Sequence, residues 1–253
     1  MGFGYKQWVG AFYPAGMAQK NYLAHYSQHF NAIEIDSTFY GIPRATTVQR
    51  WVTVTPNDFT FCLKTPKSIT HAPSLATGVE EMHTFLDVVS ALENKLGVIL
   101  IQFGPEFGYG RIQELATFLQ TLPTHIRFAV EFRHTSWEQA ETAELLSKHN
   151  ICWTATDYIY LTKTIQRTTE FLYLRFIGPH GQYATKDKEI VDKTPELEYW
   201  HAQIKPHLPH IENVYGFMNN DYSGFSPKTC NRFKAIVGDE VKDIRPYIQG
   251  RLL

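Results

Sequence analysis

Cysteine is scarce, and so is any excess of one charge. The three cysteines, Cys62, Cys152 and Cys230, are odd in number and far apart. This argues for a reduced, intracellular chain rather than a disulfide framework. Cys62 and Cys152 sit inside apolar runs and read as small buried hydrophobes. Lys plus Arg is 24 and Asp plus Glu is 25, a formal net charge of -1. That balance gives no electrostatic footprint for nucleic acid or an anionic membrane, and neither partner is expected. No run approaches the ~20 apolar residues of a membrane span. The opening residues, MGFGYKQWVG, lack a basic region followed by a long apolar run, so no signal peptide is expected and the expected location is the cytoplasm. No Gly-rich dinucleotide fingerprint follows the first strand candidate, and no P-loop, GxSxG elbow or HExxH motif is present. No Pro/Gly/Ser linker or low-complexity segment interrupts the chain. Residues 1–253 are therefore expected to form one domain.

What the chain does have is apolar mass with a regular beat. It is 43% hydrophobic and 14% aromatic, enough to bury a large core. Strands are predicted over 5–13, 32–36, 59–65, 96–103, 126–133, 151–157, 171–178 and 213–220. Helices are predicted over 18–30, 46–55, 81–95, 112–122, 139–149, 195–207 and 225–237. The run LGVILIQF is apolar almost throughout, as in a strand buried on both faces of a parallel sheet. Residues 158–170 read as a loop with at most one helical turn, so the helix between strands six and seven is irregular or missing. One unit every ~30 residues is the beat of an α/β fold, a single (β/α)8 TIM-type barrel. A doubly wound open sheet is the alternative.

In such a barrel, side chains alternate between helix layer and interior, and sites form at the carboxyl ends of the strands. With the larger apolar residues outward, the interior parity ends in Glu34, Lys64, Gln102, Glu131, Asp157, Arg175 and Asn219. Charged residues avoid burial unless partnered or used. Seven polar residues on one rim therefore point to a site, or to an ion-pair layer with Glu34–Lys64 and Glu131–Arg175 pairs. Glu34 and Glu131 suit general acid/base work. Lys64, Arg133 and Arg175 suit an anionic group. Asn219 and Gln102 suit hydroxyls or amides. Trp137, Phe39, Tyr40 and Phe12 could wall a ring, and His71 and His134 would assist. The histidines His71, His134 and His180 have no metal-ligand spacing, and Lys64 and Arg175 would repel a cation. No metal and no cofactor is expected. His25 and His29, one helical turn apart, read as a solvated face.

The fifth-strand stretch VEFRHTSW, taken with IEIDSTFYGIP, FCLKTPKSITH, LGVILIQFGPEF, YLRF and FMNND, resembles the domain-of-unknown-function-72 family, the YecE-like proteins. The resemblance runs in order from near the N-terminus to about residue 233. It implies a single TIM-type barrel. It also places Glu34, Ser37, Thr38, Phe39, Tyr40, Lys64, His71, Glu131, Arg133, His134, Trp137, Arg175 and Asn219 at the family's motif positions. Members usually carry asparagine where this chain has Asp36. They often follow the seventh strand with His-Gly, where this chain inserts Ile177, Gly178 and Pro179 before His180 and Gly181. The resemblance brings no established reaction. The residues themselves suit hydrolytic or lyase/isomerase chemistry on a small polar, anionic or sugar-like metabolite. The alternatives are a non-catalytic ligand sensor or scaffold and a metal-dependent nucleic-acid processing protein. The oligomeric state is left open.

Overall fold

Period-two alternation builds the sheets. In the third and fourth strands, Ile99, Ile101, Phe128 and Val130 pack into the outer layer against helices, while Val98, Leu100 and Ala129 face an inner core. The computed structural model describes residues 1–242. The strands are β1 (Ala32–Ile35), β2 (Thr60–Lys64), β3 (Leu96–Gln102), β4 (Arg127–Glu131), β5 (Cys152–Trp153), β6 (Ala155–Asp157), β7 (Phe171–Phe176) and β8 (Asn213–Met218). The α-helices are α1 (Tyr22–Tyr26), α2 (Ala45–Val54), α3 (Lys67–Thr70), α4 (Val79–Val89), α5 (Ile112–Leu119), α6 (Ala140–Lys148), α7 (Thr194–Ile204), α8 (Asn220–Ser223) and α9 (Ser226–Val237).

All strand pairings are parallel, in a five-stranded sheet of order β1-β2-β3-β4-β5 and a three-stranded sheet of order β6-β7-β8. The expectation of a closed eight-stranded barrel is met only in part. The fold is α/β with parallel strands in sequence order, but among the described residues the ladder does not close. β5 and β6 are one run of chain that changes partner. Thr154 N still donates to Val130 O at 2.9 Å, and Ala155 onward pairs with β7. Between β8 and β1, Met1 N donates to Met218 O and Gly2 N to Glu34 O, each at 2.8 Å. Residues from both sheets meet in one inner core that includes Cys62, Leu100, Cys152, Tyr173 and Phe217. Burial raises the Cys152 thiol to about 12 and the Cys62 thiol further, so both behave as apolar fillers.

The strand predicted over 5–13 is absent. Lys6–Trp8 is a 3-10 turn, and Gly10 (φ 87) reverses the chain so that Val9 bridges to Tyr13. Trp8, Phe12 and Tyr13 are all buried, an aromatic clustering that strand alternation cannot produce. Phe12 packs edge-on against His25 and His29, whose tilted rings lie 4.6 Å apart, so that pair is half-buried packing rather than a solvated face. Residues 158–170 form neither helix nor strand. Gly178 (φ 69) is fixed by sterics, because a Cβ there would collide with the Asp221 carbonyl.

Trp137 closes the outer layer over β4. It is 0% exposed, stacks on Phe132 at 4.3 Å and Phe107 at 5.5 Å, and donates Nε1–H to Phe107 O at 2.6 Å. Trp137→Ala is predicted to destabilise the fold by about 3–5 kcal/mol, measured by urea unfolding. A loss below ~1 kcal/mol would mean the indole is not part of the packed layer.

Candidate functional site

Three side chains from different strands converge at the carboxyl rim because they share the inward parity. Glu34 is next to last in β1, Glu131 ends β4 and Arg175 is next to last in β7. All are buried. Arg175 Nε donates to Glu34 Oε2 at 2.9 Å and Nη2 donates to Glu34 Oε1 at 2.8 Å. Arg175 Nη1 donates to Glu131 Oε2, and Nη2 reaches Asp36 Oδ1 at 3.3 Å. Tyr173 adds its hydroxyl to Glu34 Oε2 at 2.7 Å. Burial alone would push Glu34 up. The bidentate Arg175 outweighs it and holds the carboxyl below its ordinary value. Burial likewise works against a charged Arg175, but Glu131, Glu34 and Asp36 together raise its pKa further. The guanidinium fills the space between three carboxylates. Among the described residues no His/Cys/Asp/Glu group is arranged to hold a metal ion.

Of the two pairs in the alternative ion-pair layer, Glu131–Arg175 forms and Glu34–Lys64 does not. Lys64 Nζ instead donates to Gln102 Oε1 at 2.7 Å, and Gln102 Nε2 donates to Phe103 O at 2.7 Å. The Phe39 ring lies 3.8 Å from the ammonium. Phe39 is delivered by the 3-10 turn Ser37–Tyr40, which Thr38 anchors with Oγ1 at 2.9 Å from Ile35 O and 2.6 Å from Lys64 O. His71 packs edge-on to Phe39 at 5.3 Å, and burial lowers its pKa. Among the described residues no carboxylate lies within ion-pair distance of Lys64. Burial, then the Arg175 charge, lowers it to about 8. Burial, then the Glu34 charge, raises Asp36 to about 6, although its side chain keeps 34% of its surface exposed. Arg133, next inward position after Glu131, touches Glu131 Oε1 and stacks 4.5 Å over the Tyr158 ring.

Other expected members lie elsewhere. Asp157 faces outward. It shares the parity of Trp153 and Ala155, accepts from Trp200 Nε1 at 2.9 Å and Tyr222 OH at 2.7 Å, and pairs with Lys163 at 2.6 Å. Trp137 and Phe12 belong to the outer core. Tyr40 points outward, 81% exposed, beside Phe39. Asn219 is at the rim, where its Oδ1 caps α8 by accepting from Asp221 N at 2.9 Å. His134 and Trp137 line a separate cavity between β4 and the 158–170 segment. His180 stays exposed near Asp221, away from His71. In the sequence Asp36 stands out only as an acid where members of the resembled family usually carry asparagine. Its place at the first residue after β1, beside Glu34, was the available signal of a rim acid.

A model of the family described as "Protein of unknown function DUF72" matches residues 1–250. The UPF0759 protein YunF of Bacillus subtilis (strain 168) is 29% identical, with 92% of this chain and 93% of that protein aligned. The UPF0759 protein YecE of Escherichia coli (strain K12) is 35% identical over 112 residues, 44% of this chain and 41% of that protein, so the match spans under half of that relative. A crystal structure of a DUF72 family protein from Thermotoga maritima superposes with a TM-score of 0.80 at 26% identity, covering 94% of this chain and 97% of that one. One from Enterococcus faecalis, at 20% identity and a TM-score of 0.75 over 90% and 92% of the two chains, shares the fold.

The raised Asp36 fixes a sign. Its folded form binds more protons than the unfolded carboxyl between about pH 4 and pH 6, so its contribution to stability falls as pH rises through that window. Asp36→Asn is predicted to raise the melting temperature at pH 7 and to change it little at pH 4. A lower melting temperature at pH 7 would mean that the Arg175 contact outweighs the crowding by Glu34.

Proposed function

The chain belongs to the DUF72 family, and we propose that it binds a small anionic metabolite at the carboxyl rim of its strands and acts on it by acid/base chemistry. The carrying observation is Lys64, a buried ammonium whose partners are a neutral amide and a ring face. A buried cation without a counter-charge is costly, and an incoming carboxylate or phosphate relieves that cost.

The charge balance supports the same reading. Among side chains, Glu34 and Glu131 face Lys64, Arg133 and Arg175, two negative charges against three positive, and Asp36 cancels the remainder when it ionises; the buried Met1 amino group, whose pKa burial lowers, adds positive charge when protonated. An anionic ligand therefore favours protonated Asp36. Asp36 at about 6 and Lys64 at about 8 bracket neutral pH, as a working acid and base should. In this reading Lys64 holds the anion, Asp36 moves the proton, and His71 and Arg133 flank them. Glu34 and Glu131, tied down by Arg175, act as the frame instead of the acid/base pair. Asn219 and Gln102 offer amides at the edge, with Gln102 also steering Lys64.

A thermal-shift screen of carboxylates and phosphates against uncharged analogues tests this. Anions present well above their dissociation constant should stabilise the protein without added metal. Lys64→Ala should weaken anion binding roughly 10- to 100-fold, the scale of one lost charge-assisted hydrogen bond, and leave uncharged analogues unaffected. Affinity should fall as pH rises through about 8. Equal losses for charged and uncharged analogues, or stabilisation only with divalent metal or short DNA, would contradict the reading.

A further inference from the structure

β8 is buried only at its carboxyl end. Asn213 and Val214 are exposed, Tyr215 and Gly216 are half-buried, and Phe217 and Met218 are buried. Among the described residues β8 pairs with β7 alone and β1 with β2 alone. Each therefore has one edge of backbone N–H and C=O groups outside the ladder, and the two strands run near one another. A cavity of about 450 Å³ lies along this gap, with Asn31 and Ala32 on the β1 side, residues 213–218 on the β8 side, and Met1 beside Met218. Both parities of β8 line it, Val214 and Gly216 as well as Tyr215 and Phe217. It therefore follows the edge of the strand instead of covering one face. Val214, Leu208 and Val237 line it at 39%, 50% and 42% exposure, an apolar flank left open.

The path of an occupant is already begun at one end. Met1 N donates to Met218 O and Gly2 N to Glu34 O, each at 2.8 Å. Successive amides bonded to opposite neighbours are the pattern of a strand inside a parallel sheet. Met1 and Gly2 thus hold the place of that strand's last residues. Beside the cavity, the β8 edge continues over residues 213–217, about 17 Å at strand rise and room for about five residues.

We propose that this edge-lined cavity is a strand-accepting slot, and that its occupant is an extended apolar segment lying parallel to β8 and β1 and running into Met1. Open strand edges take up an extended chain through main-chain hydrogen bonds. A strand set between two others has both faces covered, so it is apolar nearly throughout. Filling the slot would close the ladder and hold β1, with Glu34, against β8. The proposal does not rest on the anion reading.

The test compares the full chain with two variants. One carries about five alternating valines and isoleucines fused ahead of Met1, the other a fusion of equal length made of lysine and proline. The apolar fusion should melt roughly 5 °C or more above the parent and slow hydrogen exchange of the β8 and β1 amides at least ~10-fold. The lysine–proline fusion should do neither. Should the apolar fusion not stay soluble, the same peptide, begun with a pair of lysines and added to the parent at millimolar concentration, should protect the same amides. The proposal is overturned if the two fusions behave alike, or if neither apolar fusion nor peptide protects these amides. It is also overturned if the parent already protects them and loses that protection when the chain is stopped after Lys242, or on dilution. The first result would make residues 243–253 the occupant, and the second a second copy of the chain.

Discussion

One guanidinium crosses the inner space from one sheet to the other. Arg175 belongs to β7 in the three-stranded sheet, while Glu34 and Glu131 belong to β1 and β4 in the five-stranded sheet. Among the described residues the backbone ladder changes partner at Thr154 and does not close between β8 and β1. Through its side chain Arg175 spans the inner space and ties both sheets at one level. Taking such charges out of water costs several kcal/mol each, and good bidentate geometry is what offsets it. Removing a single partner would leave an uncompensated buried charge, so the group stands or falls together.

The chemistry of the rim follows from that commitment. Because Arg175 takes both glutamates, Lys64 is left to a neutral amide and the Phe39 ring. Because it is buried and Glu34 stays ionised beside it, Asp36 is pushed upward towards neutrality. Asp36 and Lys64 are thus the charged groups that the clamp holds least: Asp36 meets Arg175 only at 3.3 Å, and Lys64 has no carboxylate within ion-pair distance among the described residues. Neither of the cavities of about 450 and 510 Å³ is lined by Lys64 or Arg175, although Thr156, which lines the second, lies opposite Arg175 in the β6–β7 register.

Much of this was legible in the sequence, because strand alternation is a local property. Ile33, Phe61, Leu63, Ile99, Val130 and Leu174 face outward as their spacing requires, and Glu34, Lys64, Gln102, Glu131 and Arg175 come inward to one rim. Asp157 was misplaced by taking strand-end position over parity, since it alternates with Thr156 and shares the face of Trp153. Its partners, Trp200 and Tyr222, lie tens of residues away and leave no local trace. The 5–13 segment failed for the opposite reason. Its aromatic density looked strand-like, but Gly10 turns the chain so that Trp8, Phe12 and Tyr13 all pack inward. Which glutamate Arg175 would choose, and that it would choose both, depends on distances across the inner core that no spacing encodes.

The most direct measurement is a double-mutant cycle on Arg175→Met and Glu34→Gln, each alone and together, by urea unfolding. If the clamp joins the sheets, each single change is costly and the pair costs less than the sum by about 2 kcal/mol or more. Additivity within about 0.5 kcal/mol would contradict the account and make the two residues independent occupants of the rim.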